Sequence, residues 1–302
     1  GSADSTVHSQ NLTGSELDTG AHTNIVLSNA PTLVSGAVYT ISFDATDDAG
    51  NDAVQVNQTG VVFDTVAPTA SLSYKEKVTN TVVTRVKQNT VVVITATLSE
   101  DMIASLDVKL TGSADGTAVA VSLDAMIRGN ATSYSYEWTV GSGDGTITFG
   151  LSVGTDIAGN LITTSPTSGS TIIVDNTAPA NQNSVFANDL AVNSSATTSV
   201  TIVSSSVASN QVWLAPADTT SFAVSNDMKM ATDGVATSIV TPTVEGDYKL
   251  FIIDEAGNIS SSSTATLTVD NTPPTASLSY KEKVTNTVVT RVKQNTVVVI
   301  TA

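Results

Sequence analysis

The chain has 302 residues, with 12 Lys or Arg against 28 Asp or Glu, a formal net charge of −16. That balance argues against nucleic acid as a partner, because phosphates recruit Lys and Arg, and against an anionic membrane surface. It contains no cysteine, so disulfides do not staple it, and no run approaches the roughly 18 apolar residues of a membrane span. Val and Thr, which favour half-buried pleated surfaces, are abundant alongside the turn formers Asn, Asp and Gly. No segment sustains apolar spacing at 3.6 residues. The predicted class is all-β, in two or three sandwich domains.

Along the chain, one pattern occurs three times. An alternating strand leads into Asp-x-Ala-Gly-Asn, and a second strand then closes on Asp and a Pro-containing linker. Tyr39, Ile41 and Phe43 precede the motif at 47–51, which closes at Asp64 and Pro68. Ile147, Phe149, Leu151 and Val153 precede 156–160, which closes at Asp175, Asn176 and Pro179. Tyr248, Leu250 and Ile252 precede 254–258, which closes at Asp270, Asn271 and Pro273. Period-two alternation around an Ala-Gly-Asn turn predicts a hairpin with one buried face. Proline cannot donate to a ladder, so each ending is a final hairpin followed by an extended linker.

The pairing of Asp-x-Ala-Gly-Asn with Val-Asp-Asn-Thr-Ala-Pro (174–179) resembles the bacterial immunoglobulin-like domains of large, multi-repeat surface adhesins. The resemblance implies tandem immunoglobulin-like β-sandwiches, exported to the cell surface, acting as stalk modules and often calcium-dependent. Residues 67–177 and 178–272 are each expected to form one complete domain. Trp138 and Trp213 are expected in the cores, as an aromatic packed between sheets.

A second repeat is literal: residues 68–96 recur unchanged as 274–302. The shared text holds two strand-like runs, at 70–74 and 91–94, which read as the opening strands of a domain. Leu12, Thr13, Gly14 and Ser15 match Leu110, Thr111, Gly112 and Ser113. The later mark follows Ala67 by 43 residues, whereas only 11 residues precede the earlier one. Residues 1–66 are therefore expected to form a domain lacking its first two strands, and 273–302 to be two strands of a further domain. Either the tail of one copy completes the first domain of the next, giving a head-to-tail fibre, or the chain is a window on a longer repeat array.

The acidic motifs are candidate calcium sites, since carboxylates and carbonyls suit that ion whereas zinc would call for His or Cys. From Asn258 to Asp270 the final strand runs about 12 residues. An extended strand of that length spans roughly 40 Å, so ligands are expected to come from neighbouring domains. Asp64 should face Asp156 and Asn160, with Glu100 and Asp101 nearby. Asp175 and Asn176 should face Asp254 and Asn258. Asp270 should meet Asp47, Asp48 and Asn51 of another copy. Asp, Gly and Asn are also ordinary turn residues, so a purely structural role competes with cation binding at each loop.

Catalysis is not expected. His8 and His22 are the only histidines, and neither sits in a nucleophile motif. The rival to a stalk is an adhesive module that holds a glycan or protein receptor on its loops.

Overall fold

The computed structural model describes residues 8–12, 31–47, 49–104, 108–193, 199–202, 207, 209–232 and 237–301. Thr13, Gly14, Ser15, His22 and Asp48, invoked above, lie outside the described residues. Within them the chain is all-β, without a helix long and apolar enough to cross a membrane. It divides into two compact units, 1–177 and 178–302.

Unit 1 opens with a hairpin of β1 (Val38–Phe43) and β2 (Val56–Val62). It continues through β3 (Ala70–Glu76), β4 (Arg85–Val86), β5 (Val91–Leu98) and β6 (Lys109–Ala114). Then come β7 (Val121–Ala125), β8 (Ile127–Asn130), β9 (Ser133–Thr139), β10 (Gly145–Ser152) and β11 (Thr171–Val174). One sheet runs β3-β5-β9-β8 and the other β4-β11-β10-β6-β7. Alternation explains the inner faces: Leu72 and Tyr74 on β3, and Val92, Ile94 and Ala96 on β5, are buried while their neighbours are not. From the other sheet, Leu110, Ile147, Phe149, Leu151, Ile172 and Val174 complete one continuous core.

Phe149 sits at its centre. Its ring lies 5.7 Å from Tyr74 and meets Trp138 edge-on at 5.8 Å. Its cross-strand partner is Gly112, where an added Cβ would fall 3.0 Å from the Phe149 ring. The Leu-Thr-Gly-Ser segment at 110–113 thus makes room for that aromatic. Val153 does not extend the alternation: its φ is +74° and its side chain is exposed, so the strand breaks there and turns into the 155–161 loop.

The first hairpin pairs Val38 with Val62 and Phe43 with Val56, as its alternation suggests. It does not bury a face, however: Ile41 is 60% and Phe43 52% exposed. The physical reason is that among the described residues β1 and β2 form a two-stranded sheet with no second sheet over it.

Unit 2 contains β12 (Leu190–Val192), β13 (Ser199–Ile202), β14 (Gln211–Pro216), β15 (Lys229–Thr232), β16 (Thr237–Val240), β17 (Gly246–Ile253) and β18 (Leu267–Val269). Its sheets run β12-β18-β17-β14-β15 and β13-β16. Val212, Leu214, Ile239, Tyr248, Leu250, Ile252 and Leu267 build the core. Trp213 is buried in a smaller cluster, edge-on to Phe222 at 5.5 Å, beside Phe251. The unit ends in a hairpin of β19 (Ser279–Glu282) and β20 (Val298–Thr301).

The long final strand expected between Asn258 and Asp270 is not formed: β18 covers three residues, and β11 in unit 1 four. In unit 2 the ladder between β17 and β18 stops at Tyr248 and Leu267. Beyond it the amides of Leu250 and Ile252 donate to the hydroxyls of Ser263 and Ser260, at 3.0 and 2.9 Å. Hydroxyls thus satisfy buried backbone donors where the ladder is interrupted. In unit 1 the corresponding segment turns along β3: Leu72 N donates to Ser168 O at 3.0 Å and Thr167 N to Ala70 O at 2.7 Å.

Candidate metal centre

All three Asp-x-Ala-Gly-Asn loops close the same way. The Asp amide donates to the Asn carbonyl at 3.0–3.1 Å, and the Gly amide returns to the Asp carbonyl at 2.9–3.2 Å. One Asp carboxylate oxygen accepts the Asn amide at 2.8 Å in each loop. The other accepts the Asn side-chain Nδ2 at 2.8–2.9 Å. The glycine occupies the left-handed region, with φ of +86° at Gly50, +94° at Gly159 and +84° at Gly257. The motif is therefore first a self-satisfied turn, and its Asn orients the carboxylate. Hydrogen bonding by Asn51, led by its side chain, holds Asp47 below the usual carboxylate range.

Among the described residues, only the middle loop gains further carboxylates. Oxygens of Asp64, Glu100 and Asp156 all lie within 4.8 Å of one another. Three elements bring them together. Met102 bridges Asp156 and Ile103 N donates to Thr155 O at 2.9 Å, which fixes the end of the segment after β5 against the loop. Thr69 and Ser99 exchange hydrogen bonds at 2.9 Å, and Thr163 N donates to Pro68 O at 2.9 Å, which seats the linker. Asn160 Nδ2, already bonded to Asp156, also donates to the Asp64 carbonyl at 3.1 Å. Ser35 Oγ and Val66 N both donate to Asp64 Oδ1, at 3.2 and 2.9 Å.

The electrostatics follow from that geometry. Burial pushes the Glu100 carboxyl above the usual range, and the negative charges of Asp156 and Asp64 push it further. At Asp156 burial acts upward too, but the side-chain and backbone hydrogen bonds of Asn160, with those of Gly159 and Ala158, outweigh it. Its pKa is lowered. An acid whose folded-state pKa is raised stabilises the fold below its unfolded pKa and loses that contribution as pH rises through the folded value. In chelator, unit 1 should therefore melt higher near about pH 5 than near about pH 7, and Glu100→Gln should flatten the difference. The lowered Asp156 acts in the opposite sense, losing its contribution at more acidic pH, outside this window. Thermal melts at constant ionic strength check this. A flat wild-type profile, or a slope that persists in the variant, would contradict it.

The donor set is three carboxylates with no nitrogen or sulfur, which fits a hard cation. Their spacing matches oxygens placed about 2.3–2.6 Å from a shared calcium ion. Asp101 is exposed and is not part of this group.

The closing aspartates show a recurrent local role. Oδ1 accepts the amide two residues on in each: Val66 at 2.9 Å, Thr177 at 3.1 Å and Thr272 at 2.9 Å. Asp175 also pairs with Arg85 at 3.2 Å, so a guanidinium already neutralises it. Asn176 accepts from Gln88 N at 2.6 Å and donates through Nδ2 to Gly143 O at 2.5 Å. Asp254 and Asn258 are engaged with one another, and Asp270 N donates to Val192 O at 2.9 Å.

Two acids were not singled out in the sequence. Asp144 accepts the Asn176 amide and, at 2.8 Å, the Thr177 hydroxyl. Glu245 does the same for Asn271 N at 2.7 Å and Thr272 Oγ1 at 3.0 Å. Each sits before the strand preceding its motif, and the recurring Asp-Asn-Thr was the only available signal for them.

Fold and site together define an all-β protein of facing sheets, with an oxygen-only acidic cluster where a linker enters the larger sandwich. No protein-family model and no curated protein matches the chain.

Proposed function

We propose that this chain is a stalk or fibre segment of a bacterial extracellular surface protein, built of tandem immunoglobulin-like domains and rigidified by calcium. Head-to-tail assembly through 274–302 and 1–66 belongs to the same proposal. The observation that carries it is the meeting of the linker carboxylate Asp64 with Glu100 and Asp156. A cation there would offset three negative charges and fix the linker on the sandwich it enters.

Strand order supports the domain type. Sheets β3-β5-β9-β8 and β4-β11-β10-β6-β7 follow the ABED and GFC arrangement of immunoglobulin folds, with β4 added parallel to β11 and β7 added beside β6. Unit 2 repeats the second arrangement with β12 parallel to β18. At the start of β17 the Tyr248 hydroxyl donates to Val244 O at 2.8 Å, a tyrosine-corner contact. Acidic composition and the resemblance to adhesin repeats support the extracellular setting.

Calorimetric titration with calcium should show binding at about 10⁻⁵–10⁻³ M. Glu100→Gln should weaken it by about tenfold or more, since it removes one charged ligand. Hydrogen exchange at 64–67 and 155–161 should slow on calcium addition. Absence of heat together with unchanged exchange would refute the cation.

A further inference from the structure

The two copies of the repeated segment share their turns and strand register but have opposite surroundings. Tyr74 pairs with Ile94 and Tyr280 with Ile300, in equivalent register. Yet Leu72, Tyr74 and Ile94 are 6%, 6% and 0% exposed, against 58%, 42% and 62% for Leu278, Tyr280 and Ile300. Val86, buried in the first copy, corresponds to exposed Val292, which with Tyr280, Val289 and Val298 lines a shallow groove. In the first copy, Leu72, Tyr74 and Ile94 share one core with the β10–β11 hairpin of the facing sheet, where Tyr74 lies 5.7 Å from Phe149, and Val86 lies beside Val174 in that same sheet.

The β1–β2 hairpin matches β10–β11. Tyr39 pairs with Val61 as Ile147 pairs with Ile172, and Asp64 follows β2 as Asp175 follows β11. Both hairpins end on the same Asp-turn. In the complete domain, Arg85 and Val86 lie parallel to Ile173 and Val174, and the guanidinium of Arg85 pairs with Asp175. Val62 and Phe63 stand in the places of Ile173 and Val174. The edge of β2 away from β1 has no strand on it among the described residues.

We propose that Arg291 and Val292 of one copy add in parallel to that edge in a second copy, opposite Val62 and Phe63, with the Arg291 guanidinium on the Asp64 carboxylate. This rests on the head-to-tail assembly proposed above and specifies its register and its charge pair. Exposed apolar groups of the tail hairpin then cover those of β1 and β2, as their counterparts do within unit 1. The same contact places a cation beside the Asp64, Glu100 and Asp156 cluster, so calcium and the partner's arginine would act on one aspartate.

Sedimentation velocity in EDTA over a concentration series tests this with the full chain. Wild type should reach a mass of about twice the monomer or more. Arg291→Glu alone, and Asp64→Arg alone, should each weaken association by about tenfold or more, because like charges then face each other. Mixing the two variants should restore it, since every junction in the mixture can be complementary. Wild type that stays monomeric at all concentrations overturns both the register and the assembly. Assembly that is indifferent to both substitutions overturns the register and leaves head-to-tail association standing. Loss in both variants without recovery on mixing also overturns the register.

Discussion

Phe149→Ala is expected to destabilise unit 1 by about 3–5 kcal/mol, the range for truncating a fully buried aromatic. Phe149 joins the two sheets: its ring contacts Tyr74 of β3 and Trp138 of β9, and its space is cut out by Gly112. Close-packed neighbours cannot collapse into the void without moving strands that are hydrogen-bonded on both sides. The loss should reach the acidic cluster, because β10 leads directly into the Asp156 loop. Hydrogen exchange read by mass spectrometry separates the units. Protection should fall in β5, β9 and β10 while β14 and β17 are unchanged. Equal loss in both units, or a change under about 1 kcal/mol, would show that Phe149 does not hold this core.

Gly169→Ala should cost about 2–5 kcal/mol, combining the left-handed penalty with backbone overlap. At φ +68°, an added Cβ would fall 1.9 Å from the Leu72 carbonyl oxygen, an atom within β3. Neither side can yield: the 163–169 segment is laced to 68–72 by backbone hydrogen bonds, and the Tyr74 hydroxyl donates to the Gly169 carbonyl. Gly159→Ala is the control, because it shares the left-handed conformation but meets nothing within 4 Å. It should cost only about 1–2 kcal/mol. Denaturant midpoints for the two variants measure the difference. Equal midpoints would assign the whole effect to backbone conformation.

The segment after the motif does not run on as a free strand. Thr163 ties it back to Pro68 of the incoming linker, and Thr69 and Ser99 tie that linker to the end of β5, so linker and sandwich are joined in unit 1. Calcium at Asp64, Glu100 and Asp156 would add to a junction already fixed by Asn160. Its expected signature is therefore slower local exchange and a higher melting point, with no new fold.

Much of this was present in the amino-acid order. Alternation at Ile147, Phe149 and Leu151, and at Tyr248, Leu250 and Ile252, marked buried strand faces, because a pleated strand sends successive side chains to opposite sides. The Asp-x-Ala-Gly-Asn turn was legible because its chemistry is local: one acceptor, one left-handed glycine and one amide, all within five residues. Val153, by contrast, continued the apparent alternation and yet lies in a left-handed break, which no spacing announced.

The site was legible in part. Asp64, Glu100, Asp156 and Asn160 were grouped from strand order and do meet in unit 1. The pairing of Asp175 with Arg85 was not readable, since 90 residues separate them and only the parallel addition of β4 to β11 makes them neighbours. The repeated segment draws the line most sharply. Its sequence alone determines the hairpin, its register and its left-handed asparagines, at φ +56° for Asn80 and +54° for Asn286. Turn chemistry and hairpin pairing act within the repeated segment itself and keep the same register in both copies. Whether Tyr74 or Tyr280 is buried was decided by tertiary structure, because burial requires a facing sheet supplied from far along the chain.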